Sequence, residues 1–253
     1  MSASSRPEIE LQVGALCIGD LHLDASDEAC AHALRDFLGR HRTAPALVIL
    51  GDLFEAWVGP AHARLVGAQR VLATLREWTS AGRALHLIPG NRDFLLGADF
   101  EAACGARVHP RGALARLPHE RALLIHGDEL CTLDVGYQRL KRVLRSAPML
   151  ALAPRLPSPF ALAVARRLRK RSVRAVAAKP REETAQQPDE VRRQALAAGA
   201  DTVLCGHAHA YRDEQLSAGP RWMVVDAFGG ARDVAVVGEA GRWVVGGSRG
   251  DRA

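Results

Sequence analysis

Seven residues with ligand chemistry close five short apolar runs. Val13–Ile18 leads into Gly19-Asp20-Leu21-His22, and Ala46–Leu50 into Gly51-Asp52. Ala84–Ile88 leads into Pro89-Gly90-Asn91-Arg92-Asp93, Ala122–Ile125 into His126-Gly127-Asp128, and Thr202–Cys205 into Gly206-His207-Ala208-His209. One residue separates Asp20 from His22 and His207 from His209, so each pair can reach a single ion from an extended turn. Asp52 can bridge two ions through its two oxygens, Asn91 offers a neutral oxygen and His126 a nitrogen. Mixed oxygen and imidazole donors suit Mn²⁺, Fe²⁺ or Zn²⁺ better than a thiolate site or a calcium cage. Two ions about 3.5–4 Å apart would hold a hydroxide and clamp a phosphoryl group for in-line attack. Arg92 would then set a planar cationic fork against the phosphate oxygens. Asp52, Asn91, Arg92, His126 and His207 are the residues expected to carry such a reaction. A lone Gly-Asp or His is usually a turn or surface residue; five such tips in one context point to a shared site. The other histidines (His32, His41, His62, His86, His109, His119) lack partners in the sequence and read as structural or exposed.

The apolar runs have the length of buried strands and alternate with amphipathic stretches, as in an α/β fold. Catalytic groups in open α/β sheets sit at the carboxyl ends of the strands, so the five tips are expected on one sheet edge facing one crevice. Ser26–Arg40 reads as a helix capped by Ser26, with Ala29, Ala33, Leu34 and Phe37 on one face. Ala63–Ser80 repeats the pattern with Leu65, Val66, Leu72, Leu75 and Trp78, and Gly82 stops it. Pro188–Ala198 is a third helix, ended by Gly199. From about Thr132 to Gln187 the rhythm breaks: helical Tyr137–Arg145, a Pro-punctuated turn, then helical Phe160–Ala178. Phe160, Val164, Leu168, Val173 and Val176 would form an apolar stripe between arginines. This stretch, about 132–187, reads as a helical insertion or lid on a single domain covering 1–253. After His209 the chain reads as strands, Arg221–Val225, Asp233–Gly238 and Arg242–Gly246, with a hairpin turn at Glu239-Ala240-Gly241.

The 253-residue chain carries a net charge of +6. Thirteen of its 34 basic residues fall between Arg139 and Arg181 with no acidic residue among them, leaving 21 against 28 acidic residues elsewhere. An acidic protein with one basic block inside it seeks phosphate, an anionic membrane surface or nucleic acid through that block. Single-strand binders interleave stacking rings with charge; here only Tyr137 and Phe160 flank the block, which argues against a nucleic-acid partner. No apolar run approaches the roughly 20 residues that span a bilayer, and Met1–Glu10 lacks a secretory pattern. The five cysteines form no CxxC pair, and reduced thiols in a cytoplasmic protein are expected.

Taken together, Asp-x-His, Gly-Asp, Gly-Asn-Arg-Asp, His-Gly-Asp and Gly-His-x-His resemble the calcineurin-like metallophosphoesterases, a match running from about Val13 to Phe228. That resemblance implies a layered α/β fold, a sandwich of two sheets flanked by helices. Gly51-Asp52-Leu53-Phe54-Glu55-Ala56-Trp57, Gly90–Gly97, His126–Thr132 and Asp134 followed by Tyr137-Gln138 are similar to one branch of that family, the bacterial pyrophosphohydrolases of UDP-2,3-diacylglucosamine. The branch implies Mn²⁺-dependent cleavage of a nucleotide-linked acylated sugar to UMP and an acylated sugar 1-phosphate, in lipid A synthesis, by a hydroxide activated between two metal ions. It implies a cytoplasmic protein held peripherally on the cytoplasmic face of the inner membrane. It further implies one metal position on Asp20, His22, Asp52 and His209, and a second on Asp52, Asn91, His126 and His207. Substrate contacts are implied at Asn91, Arg92, Asp134, Arg169, Ser172, Val176, Lys179 and His207, with Tyr137 at the pocket wall. The chain departs from the branch at Pro60-Ala61-His62, at Val176 where an Asn is usual, at Ala210-Tyr211-Arg212 and at Val225-Asp226-Ala227-Phe228. None of these touches an expected ligand. They leave room for a paralogue acting on another nucleotide-sugar or phosphodiester, or for a nuclease. A metal-stabilised scaffold without turnover would have no need of seven convergent ligands and Arg92.

Overall fold

A computed structural model describes residues 6–155, 163, 167 and 179–249. The strands are β1 Glu8–Glu10, β2 Leu16–Ile18, β3 Ala46–Ile49, β4 Ala84–Leu87, β5 Arg107–Val108 and β6 Ala113–Arg116. The remainder are β7 Arg121–Leu124, β8 Thr202–Cys205, β9 Arg212–Gln215, β10 Arg221–Val224, β11 Val234–Val237 and β12 Trp243–Gly246. They form two six-stranded mixed sheets, ordered β1-β6-β7-β8-β10-β9 and β12-β11-β2-β3-β4-β5. The expected layered α/β architecture, two sheets flanked by helices, is what the chain adopts. The single sheet edge expected for the five tips is replaced by two: β2, β3 and β4 run parallel in one sheet, and β7 and β8 run parallel in the other.

Side-chain alternation in a strand explains the layering. Leu16, Ile18, Leu47 and Ile49 face one core shared with helices, while Cys17, Val48 and Leu50 face the core between the sheets. Across that middle layer stand Leu124, Leu204 and Met223 of the second sheet. Leu123, Val203 and Cys205 turn the other way, toward Val191 and Ala195 of the helix Pro188–Ala198. Helix α1, His32–Arg40, and helix α2, Val66–Ser80, close the first sheet. Within α2, Val71, Leu75 and Trp78 are buried, and the Trp78 indole donates to the Ala84 carbonyl at 3.0 Å. Truncating Trp78 to Ala would cost about 3–5 kcal/mol.

Several boundaries differ from the sequence reading. The first helical turn is a 3₁₀ segment, Glu28–Ala31, capped by Asp27 and not by Ser26. Ser26 instead closes a local turn on the Asp24 carboxylate, the usual competition of a short polar side chain with helical bonding. Pro60–Arg64 is a separate 3₁₀ turn before α2, because Leu65 is extended. Helix α3, Ala98–Cys104, and the short strands β1, β5, β6 and β9 lack a long apolar period and were not anticipated. Helix α4, Val135–Leu144, starts on the Asp134 side chain, which accepts from the Tyr137 amide at 2.9 Å. It is followed by a short helix, Ala147–Leu152. Pro188–Ala198 has the expected limits, ended by Gly199 in the left-handed region. The stretch around Phe160, Val164, Leu168, Val173 and Val176, and with it Arg169 and Ser172, lies outside the described residues.

Candidate active site

Each expected ligand follows its strand by two to four residues, and at five of the seven the backbone is strained. Among the described residues, six non-glycine side chains sit at positive φ: Asp20 (54°), His22 (50°), Asp52 (49°), His207 (68°), His209 (50°) and Ala218 (48°). Left-handed backbone is costly for a residue with a Cβ and concentrates where function over-determines the geometry. Five of the six are the residues singled out by spacing. Gly51 and Gly90 make the close approach possible. A Cβ at Gly51 would lie 2.6 Å from His126 Nδ1, and one at Gly90 would collide with Asp52 Oδ1.

The seam between the sheets brings the two sets of tips together. His209 Nε2 lies 3.4 Å from Asp20 Oδ1, and His22 Nε2 lies 4.0 Å from the same oxygen. His22 Nε2 and His209 Nε2 approach to 3.1 Å. Asp52 reaches both ways: its Oδ2 is 3.9 Å from His22 Nδ1 and its Oδ1 3.9 Å from His126 Nε2. His126 Nε2 also lies 3.0 Å from Asn91 Oδ1. The His207 ring stands edge-on to His126 with centroids 5.0 Å apart. Asp20, His22 and His209 present ligand atoms that all lie within 4.8 Å of one another, close enough to share one ion, and so do Asp20, Asp52 and His126. All seven expected ligands therefore gather at one place.

The donors fit a divalent cation. Asp20 Oδ1 and His22 Nδ1 are buried without a hydrogen-bond partner, which is rare for buried polar atoms unless something else satisfies them. The other oxygen of Asp20 accepts from the His207 amide at 2.7 Å, leaving Oδ1 aimed at the cluster. The Leu50 carbonyl accepts a hydrogen bond from His126 Nδ1–H at 2.7 Å, which leaves Nε2 toward Asn91 and Asp52.

Electrostatics of the bare site follow from crowding charge at low exposure. Burial pushes the Asp52 carboxyl up to about 7, against the pull of His126. Burial also lowers His207 to about 4, helped by His126. It lowers His22 to about 4, helped by the Arg92 cation. His126 goes the other way: burial opposes its charge, but Asp52, Asp20 and Asp128 raise it to about 9. Arg92 stands beside this cluster with Nε 3.3 Å from Asp52 Oδ2 and Nη1 3.1 Å from Glu55 Oε2. Its amide donates to Asp52 Oδ1 at 2.9 Å.

Some supporting residues carry no signal of their own in the spacing. Asp93 is fully buried and accepts from the Leu53 amide at 2.7 Å and the Gly90 amide at 2.7 Å, tying the Asp52 and Asn91 loops together. Its place in Gly-Asn-Arg-Asp was visible, but not its inward direction. Glu55 orients Arg92, and Asp128 accepts from α4. The histidines read as lacking partners also pair: His86 Nδ1 lies 3.0 Å from His109 Nε2, and His62 Nδ1 accepts from the Val58 amide at 3.1 Å.

Of the residues expected to touch substrate outside the seam, the described ones, Asp134, Tyr137 and Lys179, are held by protein partners. Lys179 bonds the Asp134 carboxylate and lies 3.1 Å from Glu183 Oε1. The Tyr137 hydroxyl donates to Asp128. Lys141 Nζ sits 2.9 Å from Asp128 Oδ2. Three cations of the basic block, Lys141, Arg145 and Lys179, thus face carboxylates, because the acidic residues absent from the segment itself are supplied by the loops on which it packs.

No family model matches the chain. The UDP-2,3-diacylglucosamine hydrolase of Pseudomonas putida is 39% identical over 195 residues, 77% of this chain and 81% of that protein. The protein of the same name from Pseudomonas aeruginosa is 39% identical over 199 residues, 78% of this chain and 82% of that one. Among solved structures, a phosphoesterase from E. coli superposes with a TM-score of 0.40 at 15% identity, covering 91% of this chain and 96% of that one.

Proposed function

This chain belongs to the UDP-2,3-diacylglucosamine hydrolase family, and on that premise we propose that it cleaves the pyrophosphate of UDP-2,3-diacylglucosamine to UMP and 2,3-diacylglucosamine 1-phosphate, a step of lipid A synthesis. The observation that carries the reading is the convergence of Asp20, His22, Asp52, Asn91, His126, His207 and His209 on one seam, with Asp20 Oδ1 and His22 Nδ1 buried and unpartnered. Asp20, His22, Asp52 and His209 would hold one divalent ion, and Asp52, Asn91, His126 and His207 a second. Mn²⁺ is the ion we assign, as the family resemblance implies; mixed oxygen and imidazole donors without thiolate are compatible with it. When bound, the pair supplies a hydroxide near neutral pH and offsets charge on the phosphoryl oxygens.

The chain's own residues do the rest. Arg92 presents a guanidinium, steadied by Glu55, toward the scissile phosphate. Asp93 keeps the Asn91 turn at a fixed distance from Asp52. The Leu50 carbonyl holds the His126 tautomer. Asp134, Tyr137 and Lys179 would bind the sugar phosphate by exchanging their present partners; Arg169, Ser172 and Val176 belong to the same proposal. The organisation that goes with it is one unit with a helical insertion at about 132–187.

An anionic membrane surface is the second partner we propose, with the protein peripheral on the cytoplasmic face of the inner membrane. Leu133, Val135, Leu140, Val143, Leu150 and Leu152 are exposed around α4 and the helix after it. Arg139, Arg142 and Arg155 are exposed beside them. Apolar groups rimmed by cations suit an interfacial position, and no described helix is long and apolar enough to cross a membrane.

The test is UMP release with Mn²⁺ from UDP-2,3-diacylglucosamine, beside UDP-glucosamine without acyl chains and bis(p-nitrophenyl) phosphate. Release from the acylated substrate alone is expected. Cleavage of the generic diester alone would sink the lipid substrate.

A further inference from the structure

Asp128 is fully buried and takes no part in the reaction set out above. A carboxylate in such a place is unfavourable unless it is matched by partners with good geometry. Its Oδ1 is buried without a hydrogen-bond partner, and the side-chain partners of its Oδ2 come from one face of one helix. Tyr137, Lys141 and Arg145 are four residues apart, the spacing that stacks side chains on a single helical stripe. The Tyr137 hydroxyl donates to Asp128 Oδ2, Lys141 Nζ lies 2.9 Å from it, and Arg145 Nη2 lies 4.0 Å away. Gln138, on the same side, donates to the Asp128 carbonyl at 2.8 Å and to the Cys131 carbonyl at 3.1 Å. Arg145 reaches further: its Nη2 donates to the Gly90 carbonyl at 2.9 Å, immediately before Asn91. Helix α4 is thereby fastened at once to the loop after β7, which carries His126, and to the loop after β4, which carries Asn91. Those two ligands sit 3.0 Å apart across the junction of the sheets, where no backbone ladder joins them.

We propose that Asp128 is a positioning residue: by anchoring Lys141 and Arg145 it makes α4 a brace across the Asn91 and His126 loops, and so sets the affinity of the metal position those two residues share. The inference rests on the two-ion reading of the site and is independent of which phosphate ester is cleaved. Partners of this kind, one shell removed from the ligands, change metal affinity or activity by about 10–100-fold when removed.

The test uses the full chain as wild type, Asp128→Asn, Arg145→Gln and Arg145→Lys. Mn²⁺ binding is followed by the loss of the free-ion electron paramagnetic resonance signal, and turnover by hydrolysis of bis(p-nitrophenyl) phosphate over a range of Mn²⁺ concentrations. Wild type should bind two ions. Asp128→Asn and Arg145→Gln should keep one at wild-type affinity, bind the second about 10–100-fold more weakly, and regain turnover as Mn²⁺ is raised. Recovery by excess ion separates a lost brace from a misfolded chain. Arg145→Lys, which keeps the charge but loses the planar fork, should fall between wild type and Arg145→Gln. Second-ion affinity unchanged in Arg145→Gln would overturn the inference, and that variant decides the matter if Asp128→Asn does not fold. A wild-type chain that binds one ion would overturn the two-ion reading itself, and this inference with it.

Discussion

The seam between the sheets and the segment around α4 use the same residue types to opposite ends. At the seam, acidic and imidazole groups crowd together with buried atoms left unpartnered, on turns held at positive φ. Around α4, acidic and basic groups find each other: Lys141 and Arg145 meet Asp128, and Lys179 meets Asp134. Unpartnered buried polar atoms are costly, and at the seam a ligand would complete them; the ion pairs around α4, made on Asp128 Oδ2 while its Oδ1 stays unpartnered, hold two pieces of backbone together. The contrast separates residues that wait for a ligand from residues that shape the space around it.

The contrast breaks first at Asp52. Asp52→Ala removes the carboxylate proposed to be shared by the two metal positions, and turnover should fall by about 10³-fold or more while the fold persists. A loss under tenfold would put the chemistry elsewhere. Next comes Arg92→Lys, which keeps a cation but not the fork aimed along Asp52 and Glu55; steady-state kinetics should show about a 10²-fold drop in kcat. Asp93→Ala belongs to the other class. It strips the acceptor from the Leu53 and Gly90 amides, and urea unfolding of the metal-free protein should register a loss of about 2–4 kcal/mol.

Tyr137→Phe sharpens the comparison. If the phenol serves to anchor α4, stability should drop by about 1 kcal/mol and KM should hold within about twofold. A tenfold rise in KM at unchanged stability would make Tyr137 a substrate contact. The smallest expected effect is a pH dependence away from the site. Burial, with His109 and Arg107, lowers His86 from its ordinary 6.5 to about 4. Between those values the unfolded chain binds a proton that the folded chain refuses, so the contribution of His86 to stability declines as pH falls from 6.5 toward 4. His86→Gln should flatten that part of a pH–unfolding curve.

What was legible in the sequence follows the same division. Asp20, Asp52, Asn91, His126 and His207 were found because a ligand at a strand end leaves two marks, an apolar run and a turn after it, and the backbone then dictates where the side chain goes. That the ends belong to two sheets was not in the spacing, since a strand's own pattern does not name its neighbours; only the resemblance carried it. Asp128 and Asp93 were visible as letters of a motif, but their directions depend on contacts made more than thirty residues away in the case of Asp93 with Leu53, or across a helix in the case of Asp128. Within the block from Arg139 to Arg181, charge counting along the segment does not show that Lys141, Arg145 and Lys179 face carboxylates outside it.

In the proposed reaction one seam holds two ions side by side. The direct test is the low-temperature electron paramagnetic resonance spectrum of the wild-type chain loaded with Mn²⁺, with metal content measured on the same sample. Two ions per chain and a spin-coupled signal, lost in Asp52→Ala, are predicted. One ion per chain with an uncoupled six-line signal would contradict the account.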